Sequence, residues 1–348
     1  MSPYSASVIG ASGFAGGELL RLLEGHEEFI LSQATSRQYT NKTIGSVHPN
    51  LREVDLRFTD SSDLQSVDVL FAATPHGVSM ERIDEFREAA DTVVDLSADF
   101  RLSDPTAYDT WYDGHVAPEL LSESVYALPE LNRETLPGAD LIATGGCNAT
   151  VTLLGLYPFV ESGLVDLSTD PRIVSDLKVG SSEGGAGGGA ASSHPERSGV
   201  VRPYAPTSHR HQAEILQELG VEVSFTVHAV DMIRGAAATN HVFPEELPEK
   251  ADVWRALREV YEDEPFVRIV SGGGAIYRYP EPKAVAGTNI VEVGFEIDER
   301  TERVVVFSAI DNIMKGAAGQ AVHAANVALG IEETTGLDFT GLHPVGSP

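Results

Sequence analysis

The chain has 348 residues, 42% of them apolar, so it can bury a large core and is long enough for two domains. Its 52 acidic residues against 24 lysines and arginines give a formal net charge of −28, which repels nucleic acid and anionic membranes and excludes them as expected partners. No run approaches the ~20 apolar residues of a membrane span, and the N-terminus shows no charged-then-apolar leader.

The single cysteine excludes internal disulfides and any zinc site built from several thiols. We therefore expect a protein of the reducing cytoplasm. The acidic residues are spread along the chain rather than gathered in a tail, which favours a solvated surface suited to a high-salt interior.

In chain order, the first ~145 residues alternate short apolar runs (SVIGA, FILSQAT, VDVLFAAT, TVVDLS, LIATGG) with amphipathic stretches. This pattern predicts strands joined by helices, and hence an α/β domain with a doubly wound parallel sheet. Longer alternating runs follow (VEVSFTVHAVDM, NIVEVGFEI, RVVVFSAI), which predict a mixed or antiparallel sheet in a second domain.

We place the first domain at residues 1–146 and the second at 147–314. The run KADVWRALREVYED predicts a surface helix. The small-residue run at about 315–330 predicts a buried helix that packs back on the first domain. The segment 184–193, GGAGGGAASS, is the one low-complexity patch and favours either a flexible surface loop or a substrate entrance.

The run VIGASGFAGGELLRLL carries a spaced glycine triplet between a strand and a helix. Gly10 permits a tight turn, Gly13 lets the backbone approach a pyrophosphate together with Ala11 and Ser12, and Gly16 allows close helix–strand contact. We predict a dinucleotide-binding turn; an ordinary glycine-rich turn is the alternative.

The second predicted strand ends in Thr35, Ser36 and Arg37, with no carboxylate to hold a ribose 2′-hydroxyl. A guanidinium and two hydroxyls suit a 2′-phosphate, so we predict NADP(H) as the cofactor. An arginine that merely faces solvent is the alternative.

Cys147 follows LIATGG and precedes NATVTLLGLYPFV, which reads as a helix. A thiol at a helix N-terminus meets the positive end of the dipole and gains thiolate character, so we predict a nucleophile. A buried structural cysteine is the alternative, since free cysteines are commonly internal.

In TSHRHQAEIL, His211 and Glu214 are three residues apart at a predicted helix start and so share one face. Imidazole shuttles protons near neutral pH, and a nearby carboxylate orients it. We predict His211 as general acid/base and Glu214 as its orienting group. An exposed capping histidine, or a metal pair of His209 and His211, are alternatives; no third clustered ligand is evident, and we predict no metal.

Four runs together resemble the N-acetyl-γ-glutamyl-phosphate reductase family, which is related to aspartate-semialdehyde dehydrogenase: GASGFAGGELLRLL, GGCNAT, GSSEGGAG…SSHPERSGVVRPYAPTSHRHQAEI and DNIMKGAAGQAV. The resemblance implies a Rossmann-type domain, an α+β catalytic domain and NADP-dependent reduction of an acyl phosphate through a thioester on Cys147. It implies a cofactor contact for Asn312. It also implies that 73–77 lies beside the nicotinamide and 95–102 on the substrate side. Arg101, His209 and Arg210 are candidates to assist phosphate release as cations or donors.

GGCNAT departs from the proline-glycine-cysteine-tyrosine type of run usual in the branch that uses acetylated substrates. The glycine-rich run and its continuation resemble instead the branch that acts on glutamate or 2-aminoadipate attached to a small acidic amino-group carrier protein, in arginine or lysine biosynthesis. We predict that His194, Arg197 and Arg202 form a cationic island that docks the carrier. The family also implies a homo-oligomer, a dimer or tetramer.

Three alternatives stay open. Free N-acetyl-γ-glutamyl phosphate as substrate keeps the chemistry without the carrier. Aspartate-semialdehyde dehydrogenase applies the same thiol logic to another acyl phosphate. A non-catalytic dinucleotide-binding regulator would use Cys147 structurally.

Overall fold

The computed structural model describes residues 2–169, 171–187, 189–270 and 275–342. These residues divide into two compact units. The first unit comprises the described residues up to Gly145, with Gly185–Gly187 and Ala317–Asp338. The second comprises Gly146–Gly184, the described residues between Gly188 and Gly316, and those from Phe339 onward.

The first unit is built on a seven-stranded sheet in which every pairing is parallel. Its strands are β1 (Tyr4–Ile9), β2 (Phe29–Thr35), β3 (Phe58–Thr59), β4 (Val67–Ala72), β5 (Ala90–Asp95), β6 (Val125–Ala127) and β7 (Leu141–Thr144). Their order is β3-β2-β1-β4-β5-β7-β6, which reverses direction beside β1 and defines a doubly wound sheet.

Helices of the first unit follow the strands as the apolar pattern predicts. They are α1 (Phe14–Glu24), α2 (Val78–Ala89), α3 (Pro105–Trp111) and α4 (Pro129–Asn132). The leucines of α1 are buried against the sheet, which explains the LLRLL spacing.

The second unit is built on a mixed seven-stranded sheet. Its helices are α5 (Cys147–Glu161), α6 (His194–Arg197), α7 (His211–Leu219) and α8 (Lys250–Tyr261). Its strands are β8 (Arg172–Val179), β9 (Val201–Tyr204), β10 (Val223–Val230), β11 (Ala236–Phe243), β12 (Val267–Ile269), β13 (Val291–Asp298) and β14 (Arg303–Ile310). The order is β12-β13-β14-β11-β8-β10-β9. Strands β8 and β10 pair in parallel, as do β12 and β13, and the other pairs are antiparallel.

The predicted fold class, a doubly wound parallel sheet with a second mixed-sheet domain, is confirmed by these two sheets. A π-helical turn, Met314–Ala318, leads into α9 (Gly319–Leu329), which is almost wholly buried and lies in the first unit. In the low-complexity patch, Gly188 lies outside the described residues, and Ala190–Ser192 form a short 3₁₀ turn. Across the described ranges, no helix combines the length and apolar character of a membrane span.

Candidate active site

The glycine turn of the first unit presents bare backbone at the start of α1. Gly10 has φ of +72°, and a Cβ there would strike the Ala73 carbonyl oxygen. A Cβ on Gly16 would lie 2.5 Å from the Gly10 oxygen. Gly13 caps α1, and no side chain in the described part of the chain adds a capping bond. Gly10 and Gly16 therefore let the turn pack closely on itself and on Ala73, and the backbone amides at the start of α1 fit a pyrophosphate.

His48 also supports this turn, although no sequence pattern identifies it. Its Nε2 lies 2.9 Å from the Ala11 carbonyl oxygen, and its ring fills the space where Gly17 would carry a Cβ. The imidazole therefore holds the turn from behind, which fixes the backbone that faces the ligand. No local pattern links residue 48 to residue 11, so only the folded sheet reveals the contact.

The predicted ribose end of the site is assembled as a group in the first unit. The Ser36 hydroxyl donates to the Ser12 hydroxyl at 2.9 Å, and exposed Arg37 lies 3.3 Å from the Ser61 hydroxyl through Nε. Thr35 is fully buried, and among the described residues its hydroxyl has no hydrogen-bond partner.

Two further charges lie near Arg37. Hydrogen bonds from Ser62 are the main cause of the lowered pKa of Asp60, and the positive charges of Arg37 and Arg82 lower it further. The Ser36 hydroxyl and the Arg37 guanidinium, just after β2, fit a phosphate better than a bare ribose. The assignment of Thr35, Ser36 and Arg37 to the cofactor stays a prediction.

The runs 73–77 and 95–102, quoted separately in the sequence, meet through buried Asp99. Its carboxylate accepts from the Gly77 and Met80 amides at the start of α2 and lies 2.5 Å from His76 Nδ1. Burial, and secondly the nearby Asp99 charge, raises the pKa of Asp95 to about 6. The two runs thus form one polar cluster within the first unit.

Arg101 is buried and its guanidinium is held by backbone. Nε donates to the Thr144 carbonyl at 2.8 Å and Nη2 to the Leu96 carbonyl at 3.0 Å. These bonds tie the 95–102 segment to the end of β7. A role in phosphate release stays a prediction, and it would need to be compatible with these two bonds.

Cys147 is the first residue of α5, as the sequence predicts, and Gly146 is its N-cap. The residue is partly exposed. Its Sγ lies 3.9 Å from the Asn148 Oδ1. A Cβ on Gly316, in the π-helical turn, would lie 2.5 Å from the Cys147 Cβ, so the turn packs directly on the nucleophile's side chain. Because Cys147 is the first residue of α5, its sulfur lies at the positive end of a 15-residue helix.

His211 and Glu214 begin α7 on one face, where the Glu214 carboxylate contacts both His211 and Gly146. Its Oε1 lies 3.8 Å from His211 Nε2, and its Oε2 accepts the Gly146 amide hydrogen at 2.8 Å. The carboxylate is completely buried. Glu214 therefore connects the predicted base to the residue immediately before the nucleophile.

His209 differs from its expected role as a cation. Burial, and secondly the Arg210 charge, lowers the pKa of His209 to about 4, so the imidazole is neutral at pH 7. Its Nδ1 accepts from the His211 amide at 3.3 Å. It can still donate a hydrogen bond, but the positive charge at this point belongs to exposed Arg210. The prediction that His209 assists phosphate release as a cation is therefore wrong, because burial keeps its imidazole neutral.

In the described part of the chain, His209 and His211 have no third side chain that would complete a metal site. Their rings are edge to face at 4.7 Å. Within the described residues, no group of three or more His, Cys, Asp or Glu side chains could hold a metal ion.

Asn312 is buried and bonded inside the second unit. Its Oδ1 accepts from the Gly235 amide at 2.6 Å, and its Nδ2 donates to the Ser182 hydroxyl at 2.9 Å. These bonds hold two loops together. The predicted cofactor contact of Asn312 stays a prediction.

Only part of the predicted cationic island is exposed. Arg197 is buried: Nε and Nη2 donate to the Val230 and Val179 carbonyls, and Glu183 lies 3.6 Å away. The expectation that Arg197 is displayed for docking is wrong, because these contacts make it an internal brace.

The other two members of the island keep some exposure. His194 is exposed at the start of α6, and Arg202 is half-buried and pairs with Glu196 at 3.3 Å. Their docking role stays a prediction.

Glu183 and Tyr204 form a pair that carried no signal in the sequence. Both occur in quoted runs, but no periodicity relates positions 183 and 204. The Tyr204 hydroxyl donates to Glu183 Oε2 at 2.5 Å, which joins the 3₁₀ turn Ser181–Gly184 to the edge strand β9.

Comparison with known proteins gives two family models that together span most of the chain. A model described as a semialdehyde dehydrogenase NAD-binding domain matches residues 5–139. One described as a semialdehyde dehydrogenase dimerisation domain matches residues 147–312.

Several full-length relatives are named as putative LysW-linked L-2-aminoadipate and L-glutamate phosphate reductases. The chain is similar to the one from Haloarcula marismortui, with 73% identity over 345 residues and 99% of each chain covered. The one from Natronomonas pharaonis is 70% identical over all of both chains. The one from Pyrococcus furiosus is 50% identical, covering 98% of this chain and 99% of the relative.

Solved structures show the same fold at low identity. Aspartate semialdehyde dehydrogenase II of Vibrio cholerae, complexed with ASA, aligns with a TM-score of 0.72 and 16% identity over 94% of this chain and 98% of that chain. The Candida albicans enzyme with NADP aligns with a TM-score of 0.68 and 17% identity over the same shares of the two chains.

Proposed function

Because this chain belongs to the semialdehyde dehydrogenase family, we propose that it reduces a carrier-protein-linked γ-glutamyl or 2-aminoadipyl phosphate to the semialdehyde, with NADPH as reductant. The oxidoreductase class follows from the family. The acyl group and the carrier rest on the names of relatives that are 73% and 70% identical along the whole chain. This reaction would serve arginine or lysine biosynthesis.

The observation that carries the mechanism is the buried Glu214 carboxylate. It lies 3.8 Å from His211 Nε2 and holds the Gly146 amide beside Cys147. A fixed carboxylate orients the imidazole and keeps the base and the nucleophile's loop in register.

In the first half-reaction, His211 takes the thiol proton and Cys147 Sγ attacks the acyl carbon. The new C–S bond forms as the bond to the phosphate oxygen breaks, and the protonated His211 gives its proton to the departing phosphate. The N-terminus of α5 stabilises the attacking thiolate, and Arg210 and the neutral His209 are the nearby groups that could assist the leaving anion.

In the second half-reaction, the reduced nicotinamide, when bound, supplies a hydride to the thioester carbon. Gly10, Gly13 and Gly16 would hold its pyrophosphate, and Ser12, Ser36 and Arg37 its 2′-phosphate. The C–S bond of the resulting thiohemiacetal anion would then break, the aldehyde would leave, and the Cys147 thiolate would regain a proton that His211 takes up from solvent.

The proposal extends to the partner, the assembly and the location of the enzyme. Exposed His194 and half-buried Arg202 dock the acidic carrier by local charge complementarity. The chain assembles with copies of itself, which the description of the model matching residues 147–312 as a dimerisation domain supports. A reactive thiol is best kept reduced in the cytoplasm, so we place the enzyme there.

Mass spectrometry of the enzyme without NADPH tests the proposal. After incubation with carrier-linked γ-glutamyl or 2-aminoadipyl phosphate, the peptide containing Cys147 should gain the acyl mass, which hydroxylamine removes. Free N-acetyl-γ-glutamyl phosphate in parallel tests the carrier requirement, and Cys147→Ser is the matched control. Acylation only by the acetylated compound would overturn the carrier assignment, and no acyl group from any substrate would overturn the thioester.

A further inference from the structure

Arg37 and Ser61 lie side by side because the strands before them are in register. Strands β2 and β3 pair in parallel with Thr35 opposite Thr59, and the Ser36 amide donates to the Thr59 carbonyl at 3.0 Å. Two residues beyond that pair, Arg37 Nε donates to the Ser61 hydroxyl oxygen at 3.3 Å. The guanidinium predicted to meet the 2′-phosphate therefore has a neighbour on the loop after β3.

The loop that carries Ser61 is held by a buried side chain of β2. Gln33 Nε2 donates to the Thr59 hydroxyl at 2.9 Å and to the Asp63 carbonyl at 2.6 Å. Its Oε1 accepts the Gln65 amide hydrogen at 3.1 Å. Ser61 lies between these anchor points and is itself buried, so its hydroxyl has a defined position.

Arg82, in the first half of α2, holds the same loop from a second element. Its Nη2 donates to the Ser61 carbonyl at 2.6 Å. Its Nε and Nη2 also donate to Glu85 Oε2 at 2.9 and 2.7 Å, and its guanidinium lies 5.0 Å from the centre of the Phe86 ring. Because its charge is paired and its side chain is only 13% exposed, Arg82 is suited to hold Ser61 rather than to bind an anion.

The Arg37 guanidinium is arranged differently. It is exposed, and within the described residues its one hydrogen bond is the one from Nε to Ser61. The carboxylate of Asp60, next to Ser61 in the sequence, is engaged by Ser62, whose amide and hydroxyl donate to Oδ1 at 3.0 and 2.7 Å. With Nε committed, Arg37 keeps the two terminal nitrogens of its fork, which match two oxygens of one phosphate.

We infer that Ser61, braced by Arg82, is a positioning residue that orients Arg37 end-on toward the 2′-phosphate of NADPH. Holding a long side chain in its bound orientation before the ligand arrives removes part of the ordering cost of binding. Selectivity for NADPH then depends on residues after β2, after β3 and in α2, of which only Arg37 touches the phosphate. The inference rests on the proposed function, since it takes Arg37 as the cation that meets the 2′-phosphate.

Fluorescence titration of Ser61→Ala with NADPH and NADH tests this orientation. Loss of the hydroxyl frees Arg37, so the Kd for NADPH should rise about three- to tenfold. The Kd for NADH, which has no 2′-phosphate, should change less than about twofold. Ser5→Ala is the matched control: it removes a serine hydroxyl that donates to Asp68 Oδ2 at 2.6 Å, at the opposite edge of the same sheet. Its ratio of the two constants should equal that of the unmodified protein.

A double-mutant cycle shows whether Ser61 acts through Arg37. In an Arg37→Met background, Ser61→Ala should no longer alter NADPH binding, because no guanidinium is left to orient. Arg82→Met combined with Glu85→Gln removes the brace without changing the net charge. This pair of changes should raise the NADPH Kd about threefold with Arg37 present and should have no effect with Arg37→Met. Melting curves confirm that each variant is folded.

Two results would overturn the inference: an unchanged ratio of the NADPH and NADH constants in folded Ser61→Ala, or a Ser61→Ala loss that persists in the Arg37→Met background. A loss from Arg82→Met with Glu85→Gln that persists without Arg37 would show that Arg82 binds the cofactor itself, and its role as a brace would fail. Equal weakening of NADPH and NADH by Arg37→Met alone would instead contradict the cofactor assignment of the proposed function. The two failures are therefore separable.

Discussion

At the scale of single residues, Glu214 shows what spacing can and cannot predict. Its separation of three from His211 predicts a shared helical face, and the structure has both at the start of α7. Its second partner, the Gly146 amide, lies 68 positions away in sequence. A pairing of that kind depends on tertiary structure, so it could not be derived from the sequence.

Burial is the other residue-scale property that the sequence concealed. Arg197 and His209 are types that usually face water, and a run such as SSHPERSGVVRPY favours exposure. Arg197 is internal because two backbone carbonyls accept hydrogen bonds from its guanidinium. His209 is internal because its ring packs against Tyr204, His211 and Phe225.

Arg37 carries the prediction for cofactor choice. Replacing it with Glu should weaken NADPH binding about tenfold or more, because the cation proposed to face the 2′-phosphate becomes an anion, while NADH binding should change little. Fluorescence titration with both cofactors measures the two constants. Arg57→Glu is the control, since Arg57 is an exposed arginine of the same unit that binds the Asn41 carbonyl. Equal losses for NADPH and NADH at Arg37→Glu would contradict the assignment.

At the scale of elements, the pattern of apolar runs predicts the long segments well. FILSQAT is β2 in full, and the runs assigned to β10, β13 and β14 are strands. Strands β8 and β11 lie at the centre of the second sheet but contain Asp, Lys, Asn and His. Polar residues interrupt both strands at buried as well as half-exposed positions, which hides their apolar residues from a search for apolar runs.

The π-helical turn before α9 was also beyond prediction. Its first amides are held by the buried Asp311 carboxylate, which accepts from Ile313 at 2.8 Å and Met314 at 3.1 Å. Such turns interrupt regular helices and frequently occur at functional sites. Here the wider turn brings the bare backbone of Gly316 against Cys147.

Gly316→Ala tests the importance of that contact. The new methyl group would lie 2.5 Å from the Cys147 Cβ and 3.1 Å from its Cα, so the first turn of α5 must shift. We expect the single-turnover acylation rate to fall by about tenfold or more, since displacing a nucleophile by a fraction of an ångström removes its alignment.

The matched control is Gly25→Ala, where the nearest atom to the added Cβ is 3.9 Å away and the backbone φ of −96° accepts alanine. Stopped-flow release of phosphate gives the rate, and a melting curve separates misalignment from unfolding. A Gly316→Ala enzyme that acylates at the normal rate would show that the turn does not position the thiol.

At the scale of the whole molecule, charge dominates. A net charge of −28 on 348 residues means that carboxylates repel one another over much of the surface. The site itself needs local positive features, which come from helix N-termini and a few arginines rather than from the overall field. The same fold occurs in solved structures that are only 16% and 17% identical to this chain.

Screening should therefore stabilise this protein to an unusual degree. The Debye length falls from about 30 Å at 0.01 M salt to about 3 Å at 1 M, so repulsion between surface carboxylates is largely removed over that range. We expect the Tm at pH 7 to rise by several degrees or more as KCl increases across it. The control uses the protein's own titration: toward the sequence pI of 4.6 the net charge shrinks, so the same KCl series at about pH 5.5 should produce a smaller rise. A salt effect equal at both pH values would indicate preferential exclusion of KCl from the surface rather than screening, and an unchanged Tm at pH 7 would mean that the repulsion is already balanced within the fold.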